Sequence, residues 1–296
     1  MALCLIHPRR TSSAPRLPTS RAHLICSRRL QVAPDNSPET GLRCIPSEIY
    51  SESWIACNFA FIKLSHVRNV WADRLRVLLA LTFARESRTP AAKRAFLEGT
   101  ARQRAAAAER CALWLARFQV LAPKQGKVMD VRRILKHGER RMRCIVESGA
   151  SFADKARKLF ERLAVGAPPL DQNAMCAGHG DYKLEHLLLL PQGATVTFDW
   201  DCYDTADPSR DAALFLIYLE RLALNVLGSI RDLDGPSHAF LKTDLAAAQP
   251  GAEARLPFHK AALYLQEAKR DVGEQHPGWL ERAEIMLDQG LRELEA

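Results

Sequence analysis

HGDYKLEHLLLLPQGATVTFDWDCYDTADPSRD, residues 179–211, crowds imidazole, carboxylate and ammonium groups around a short apolar run. Residues 187–190 have strand length. Pro191, Gln192 and Gly193 are turn residues, since Pro presets φ and Gly accepts a positive one. Residues 194–198 alternate Thr195 and Thr197 with Val196 and Phe198, the period of a second strand. Folding the segment about the Gln192–Gly193 bond sets Leu190 opposite Thr195, Leu188 opposite Thr197 and His186 opposite Asp199. Directly opposed residues on antiparallel strands have Cα atoms roughly 4.5–5.5 Å apart. Imidazole and carboxylate therefore meet at the open end of the hairpin, with Asp181 shortly before His186 in the chain. Two carboxylates and an imidazole can coordinate a divalent cation. A His–Asp ion pair at a strand end is the alternative.

The order of these residues carries a resemblance. His179-Gly180-Asp181-Tyr182-Lys183-Leu184-Glu185-His186 is similar to the catalytic loop of the kinase-like fold, H-G-D-x-x-x-x-N in the aminoglycoside and choline phosphotransferases. Phe198-Asp199-Trp200-Asp201 resembles their metal-binding I-D-[WF]-[DE] segment, and Ala206-Asp207-Pro208-Ser209-Arg210-Asp211 resembles G-D-P-x-x-D-L-A. The resemblance implies an α+β, kinase-like fold with a mostly helical C-terminal lobe that contains the catalytic-loop hairpin. It implies ATP-dependent transfer of a phosphoryl group to a small-molecule hydroxyl. Asp181 would accept the hydroxyl proton, Lys183 would sit near the transferring group, and Asp199 would hold Mg²⁺. Asp207 and Asp211 would brace the loop. Position 186 departs from the pattern, because His186 stands where the family has Asn. Imidazole suits Mn²⁺ or Zn²⁺ better than the harder Mg²⁺. Either the metal set is altered, or one contact is lost, or His186 only hydrogen-bonds Asp181 or Asp199.

The chain has 296 residues, enough for one large or two small domains with a substantial core. Its net charge of +8 is uneven: residues 1–34 hold six Arg and no Asp or Glu, which leaves +2 elsewhere. No basic stripe interleaved with aromatics follows, so the composition does not point to nucleic acid. Eight Cys lie far apart in sequence, which excludes CxxC zinc and redox motifs and suits a reducing, cytoplasmic setting. No apolar run is long enough for a transmembrane helix.

Three segments are expected: a basic tail over 1–40, a reduced or diverged N-terminal lobe over 41–98, and a helical phosphotransferase lobe over 99–296. The tail reads as disorder, a targeting segment, or translation from an early start. Only Gly41 precedes residue 99, so no glycine-rich phosphate loop is evident. In 57–64, CNFAFIKL, Lys63 resembles the phosphate-pairing lysine of V-A-I-K; an ordinary strand with a snorkelling lysine is the alternative. Further on, Thr89-Pro90 is expected to open one long Ala-rich helix whose Ala108, Cys111, Leu115 and Phe118 form a core stripe. Part of it, 112–119, resembles the family's W-L-A-x-L-H helix with Gln119 in place of His. A basic helix is expected over 128–146, a helix capped by Ser151, and a nearly all-apolar helix over 212–227. A loop is expected at Gly235-Pro236, then helices over 257–272 and 280–294. Glu220, Glu267, Asp271 and Glu274 are candidates for contacting a cationic acceptor. Two other functions compete: a non-catalytic kinase-like binding protein, and a metal-dependent phosphohydrolase. The second needs more ligands from separate loops than the sequence clusters.

Overall fold

A computed structural model describes residues 91–169, 174–190, 193–247 and 251–295, with the two-residue strands β1 (Cys4–Leu5) and β2 (Ile25–Cys26), which pair antiparallel. Lys63 and most of the expected N-terminal lobe lie outside the described residues. The remainder is α+β and mostly helical.

The expected Ala-rich helix is two helices, α1 (Ala91–Glu98) and α2 (Ala101–Leu121). The break is local chemistry. Thr100 and Gln103 form a reciprocal capping box, each side chain bonded to the other's backbone N–H. A Cβ at Gly99 would collide with the Ala95 carbonyl. The α2 stripe is buried as its spacing predicts, through Ala108, Cys111, Leu115 and Phe118.

The basic helix begins later than expected, as α3 (Val131–Glu147), because Asp130 caps it by accepting from Arg133 N–H at 2.8 Å. The residues before it form β3 (Lys127–Met129). α4 (Ala153–Val165) follows; Ser151 does not cap it, and the capping position is Phe152. β4 (Cys176–Gly178) leads into the catalytic-loop candidate.

The hairpin is β5 (Leu187–Leu189) and β6 (Thr195–Thr197), in a register one residue from the expected one: Leu187 opposes Thr197 and Leu189 opposes Thr195. Leu190 N–H donates to Ala194 O at 2.8 Å, which leaves three residues between them, and Gly193 has φ +87°. Three-residue loops that end on a left-handed glycine are a standard hairpin closure. The shift puts Phe198 beside His186, yet one residue of strand is too little to separate Asp199 from the imidazole.

β7 (Asp204–Ala206) pairs parallel to β3 and antiparallel to β4, giving a sheet of order β3-β7-β4. α5 (Pro208–Leu222) starts with Asp207 as cap and Pro208 in its first turn, and continues as a π-helical turn, Ala223–Leu227. Pro208–Leu222 is buried nearly all round, as its composition predicts, but the expectation fails at the end of the 212–227 stretch, where Asn225, Val226 and Leu227 are exposed. The expected loop at Gly235-Pro236 is instead the first turn of α6 (Asp234–Ala247), where proline costs no internal hydrogen bond. α7 (Ala252–Glu274) and α8 (Trp279–Glu293) complete the bundle.

α2 packs on α6, and α7 packs on α5, α3 and α8. Phe215 stacks on Phe240 with ring centroids 4.1 Å apart, while Phe96 meets its edge. Full burial of such a side chain contributes about 1.5–3 kcal/mol. The core thus forms a platform from which one hairpin and one small sheet present the polar stretch.

Candidate active site

The polar stretch begins where β4 ends. His179 is fully buried, and burial pushes its imidazole pKa down to about 3, so the ring is neutral. Its Nε2 donates to Phe198 O at 3.2 Å. The amides of His179 and Gly180 donate to the two oxygens of Asp211, at 2.6 and 3.0 Å. Asp211 sits in the first turn of α5 and is 2% exposed. Burial raises its pKa against the pull of Arg210 and of these two amides. One carboxylate thus ties the loop backbone to the bundle. Asp207 does not touch the loop; it caps α5 and pairs with Arg255.

Gly180 turns the chain with φ +78°, and a Cβ there would collide with the Cys202 carbonyl. The next two side chains point opposite ways. Tyr182 is buried and donates to Cys111 O at 2.8 Å, while Trp114 stacks on its ring at 5.7 Å. Asp181 keeps 24% of its side chain exposed. Beneath the loop, Trp200 lies 4.5 Å from the His179 ring and 5.3 Å from Phe118. The apolar stripe of α2 therefore supports the polar loop from below.

Asp181, Lys183, His186 and Asp199 come together. Lys183 Nζ lies 2.5 Å from Asp181 Oδ2 and 5.6 Å over the Tyr218 ring. His186 Nδ1 is 3.0 Å from the Asp181 backbone oxygen and 3.6 Å from its carboxylate; Nε2 is 3.1 Å from Asp199 Oδ2. The ring is nearly buried, at 7% exposure. A neutral imidazole donates only once. With its proton on Nδ1 toward Asp181, the Nε2 lone pair would face a carboxylate oxygen. That face-off is relieved by a second proton or by a cation held between the two atoms. A 3.1 Å separation suits adjacent ligands of a cation with bonds of about 2.1 Å. The imidazole–carboxylate donor set fits such an ion. Among the described residues no cluster of three or more His, Cys, Asp or Glu forms a ready metal cage, so the remaining ligands would be water or substrate oxygens.

Asp199 has φ 66° and ψ 66°, the left-handed region that non-glycine residues avoid. Such strain, on the order of 1–3 kcal/mol, gathers at functional sites. It here aims the carboxylate at His186 just before the 3-10 turn Trp200–Cys202.

Sequence reasoning missed several residues around this group. Arg210 donates to Asp204 at 2.7 Å and to the Gly180 carbonyl at 3.4 Å. Tyr218 accepts from Arg270 at 3.0 Å and lies under Lys183. Arg110 reaches from α2 to the carbonyls of Leu190 and Ala194 at 2.9 and 2.5 Å, clamping the hairpin loop. Tyr218 had a usable signal, a hydroxyl in the middle of an apolar run of α5. The two arginines had none. Gln119, at the position of the family's His, donates to Pro208 O at 2.9 Å and secures the start of α5. The carboxylates considered for a cationic acceptor are largely committed: Glu220 to Lys260 and Tyr264, Glu267 to Arg221 and Arg270, Asp271 to Arg221.

A family model described as phosphotransferase enzyme family matches residues 75–256. No curated protein matches the chain. Among solved structures, a choline/ethanolamine kinase family protein from Mesorhizobium loti is similar at 14% identity and TM-score 0.45, covering 66% of this chain and 68% of its own. A candidate aminoglycoside phosphotransferase from Ralstonia eutropha is similar at 17% identity and TM-score 0.45, covering 67% and 68%.

Proposed function

The chain belongs to the phosphotransferase enzyme family, and from that premise we propose that it moves the terminal phosphoryl group of ATP to a hydroxyl of a small molecule. One observation carries the reading: a single imidazole, His186, contacts both Asp181 and Asp199. The base of a kinase-like site and its metal-holding carboxylate must lie that close, because phosphoryl transfer depends on positioning and charge neutralisation.

In the step, the acceptor oxygen bonds to phosphorus as the bond to the bridging oxygen breaks and ADP leaves. Asp181, on the exposed side of the loop, takes the acceptor proton. Lys183, held by Asp181 and seated over Tyr218, swings its ammonium to the phosphoryl oxygens. Asp199 and His186 would hold Mg²⁺ or Mn²⁺, which neutralises charge on the nucleotide phosphates when bound. Lys63 would pair with those phosphates from the N-terminal lobe. Four cysteines of the described residues are free thiols, and no helix among those residues is long and apolar enough to cross a membrane; both suit a cytoplasmic enzyme.

Replacing Asp181 by Asn keeps the shape and removes the base. Turnover, followed as ADP release, should fall by about 10²–10⁴-fold with the melting temperature unchanged. Wild-type turnover in that variant would overturn the assignment.

A second reading is a non-catalytic nucleotide-binding relative, favoured by the close Lys183–Asp181 pair and by His186. Here nucleotide with Mn²⁺ would raise the melting temperature by linkage without ADP release under any acceptor.

A further inference from the structure

Beside the catalytic-loop candidate lies a cavity of about 60 Å³, lined by Met129, Ile134, His137, Arg141, Arg210 and His259 among others. By the measure in which one water takes roughly 10–15 Å³, it holds about four to six waters, room for one phosphate or carboxylate group. Its polar lining is two arginines, two histidines and Gln266, with no carboxylate among them. α3 contributes His137 and Arg141 from one face, four residues apart. The other arginines and Lys136 of that helix, by contrast, are mostly in solvent.

Charge pairing around the cavity leaves one guanidinium over. Arg210 is paired with Asp204, and Arg255 with Asp207. Arg141 is part-buried, and its partner is the neutral amide oxygen of Gln266; no carboxylate of the described residues lies at ion-pair distance. Burial and the nearby Arg210 pull its pKa down to about 10, which still leaves it charged. On the far wall, His259 is 2% exposed, and its Nε2 has no hydrogen-bond partner, with Asp207 Oδ1 at 3.6 Å. Buried polar groups left this way cost stability unless something compensates them. An anion in the cavity would do so for both, with His259 carrying its single proton on Nε2. Arg210 links the cavity to the chemistry, since it also donates to the carbonyl of Gly180, the residue before Asp181.

We propose that this cavity binds an anionic group, a phosphate monoester or carboxylate, on the acceptor whose hydroxyl Asp181 deprotonates. The acceptor is then an anionic alcohol, not a cationic amine. The proposal rests on the phosphotransferase reading above and deepens it.

The test uses the full chain and inorganic phosphate as probe, without nucleotide. Phosphate should raise the wild-type melting temperature and move the imidazole NMR signals of His137 and His259. Arg141→Gln should weaken the phosphate Kd by roughly tenfold to a hundredfold, the loss of a charge-assisted contact. Its response to ATP with Mn²⁺ should not change. An equal phosphate response in the variant, or none in the wild type, overturns the cavity as an anion site. If the variant does not fold, the wild-type histidine signals decide: unmoved signals overturn the proposal.

An acceptor panel then separates an acceptor site from one for free phosphate. Glycerol 3-phosphate and a hydroxy acid should be phosphorylated in preference to choline, with the Arg141→Gln loss mainly in KM. Turnover confined to choline overturns the acceptor assignment. Absent nucleotide binding with an intact phosphate response would instead sink the transfer chemistry, since the two responses are read separately.

Discussion

His186 occupies the position where the resembled loop has an amide, and its surroundings explain how an imidazole is accommodated. Nδ1 is engaged by the Asp181 backbone, which turns Nε2 toward Asp199 at 3.1 Å. An imidazole there favours a softer divalent ion. His186→Asn should lower Mn²⁺ affinity by roughly tenfold and raise the ratio of Mg²⁺- to Mn²⁺-supported turnover. Mn²⁺ titration by electron paramagnetic resonance checks the first, and unchanged Mn²⁺ affinity would remove His186 from the metal set. At this scale much was legible. The meeting of His186 and Asp199 followed from strand alternation, even in a register off by one, because each residue of slip moves the ends only a few ångströms. Arg110, Arg141 and Arg210 were not legible. Their roles depend on which carboxylate or carbonyl lies opposite in space, and a surface-like arginine on a helix carries no mark of that.

The loop between β4 and the hairpin depends on a backbone that only glycine adopts without strain. At Gly180 the positive φ and the Cys202 carbonyl leave no room for a methyl group. Gly180→Ala should cost about 2–4 kcal/mol in urea unfolding and most of the activity, since Asp181 would be displaced. Wild-type stability in that variant would show that the turn relaxes freely. The elements that sequence reasoning missed are of two kinds. β3, β4 and β7 are three residues each, too short for any alternation to stand out, and they exist because the sheet pairs them. α6 was hidden by Gly235-Pro236, which reads as a turn but sits in the helix's first turn. The long helices α2, α5 and α7 were legible because repeated apolar spacing survives small errors at the ends.

Across the whole molecule, buried titratable groups set opposing responses to pH. Asp244 in α6 is 6% exposed, and burial, with Asp211 nearby, pushes its pKa from 3.8 up to about 7. The folded chain therefore holds this proton more tightly than the unfolded one. The associated stability is complete below about pH 4 and is lost as pH rises to about 7. Asp244→Asn should raise the melting temperature above pH 7, by a free energy on the order of 2–4 kcal/mol, with the gain vanishing toward pH 4. A gain independent of pH would refute the titration. His179 and His259 act in the other direction. Burial lowers their pKa values to about 3 and about 4, so their contribution is present above pH 6.5 and lost as pH falls through that range. The β3-β7-β4 sheet has a different consequence. β3 leads into the helix that carries Arg141, and β7 follows directly on the turn after Asp199. Under the proposed acceptor assignment, the pairing of these two strands would hold the gap between anchoring charge and reacting oxygen to a set length. The enzyme would gauge its substrates as a caliper does, rejecting homologues one carbon too short or too long.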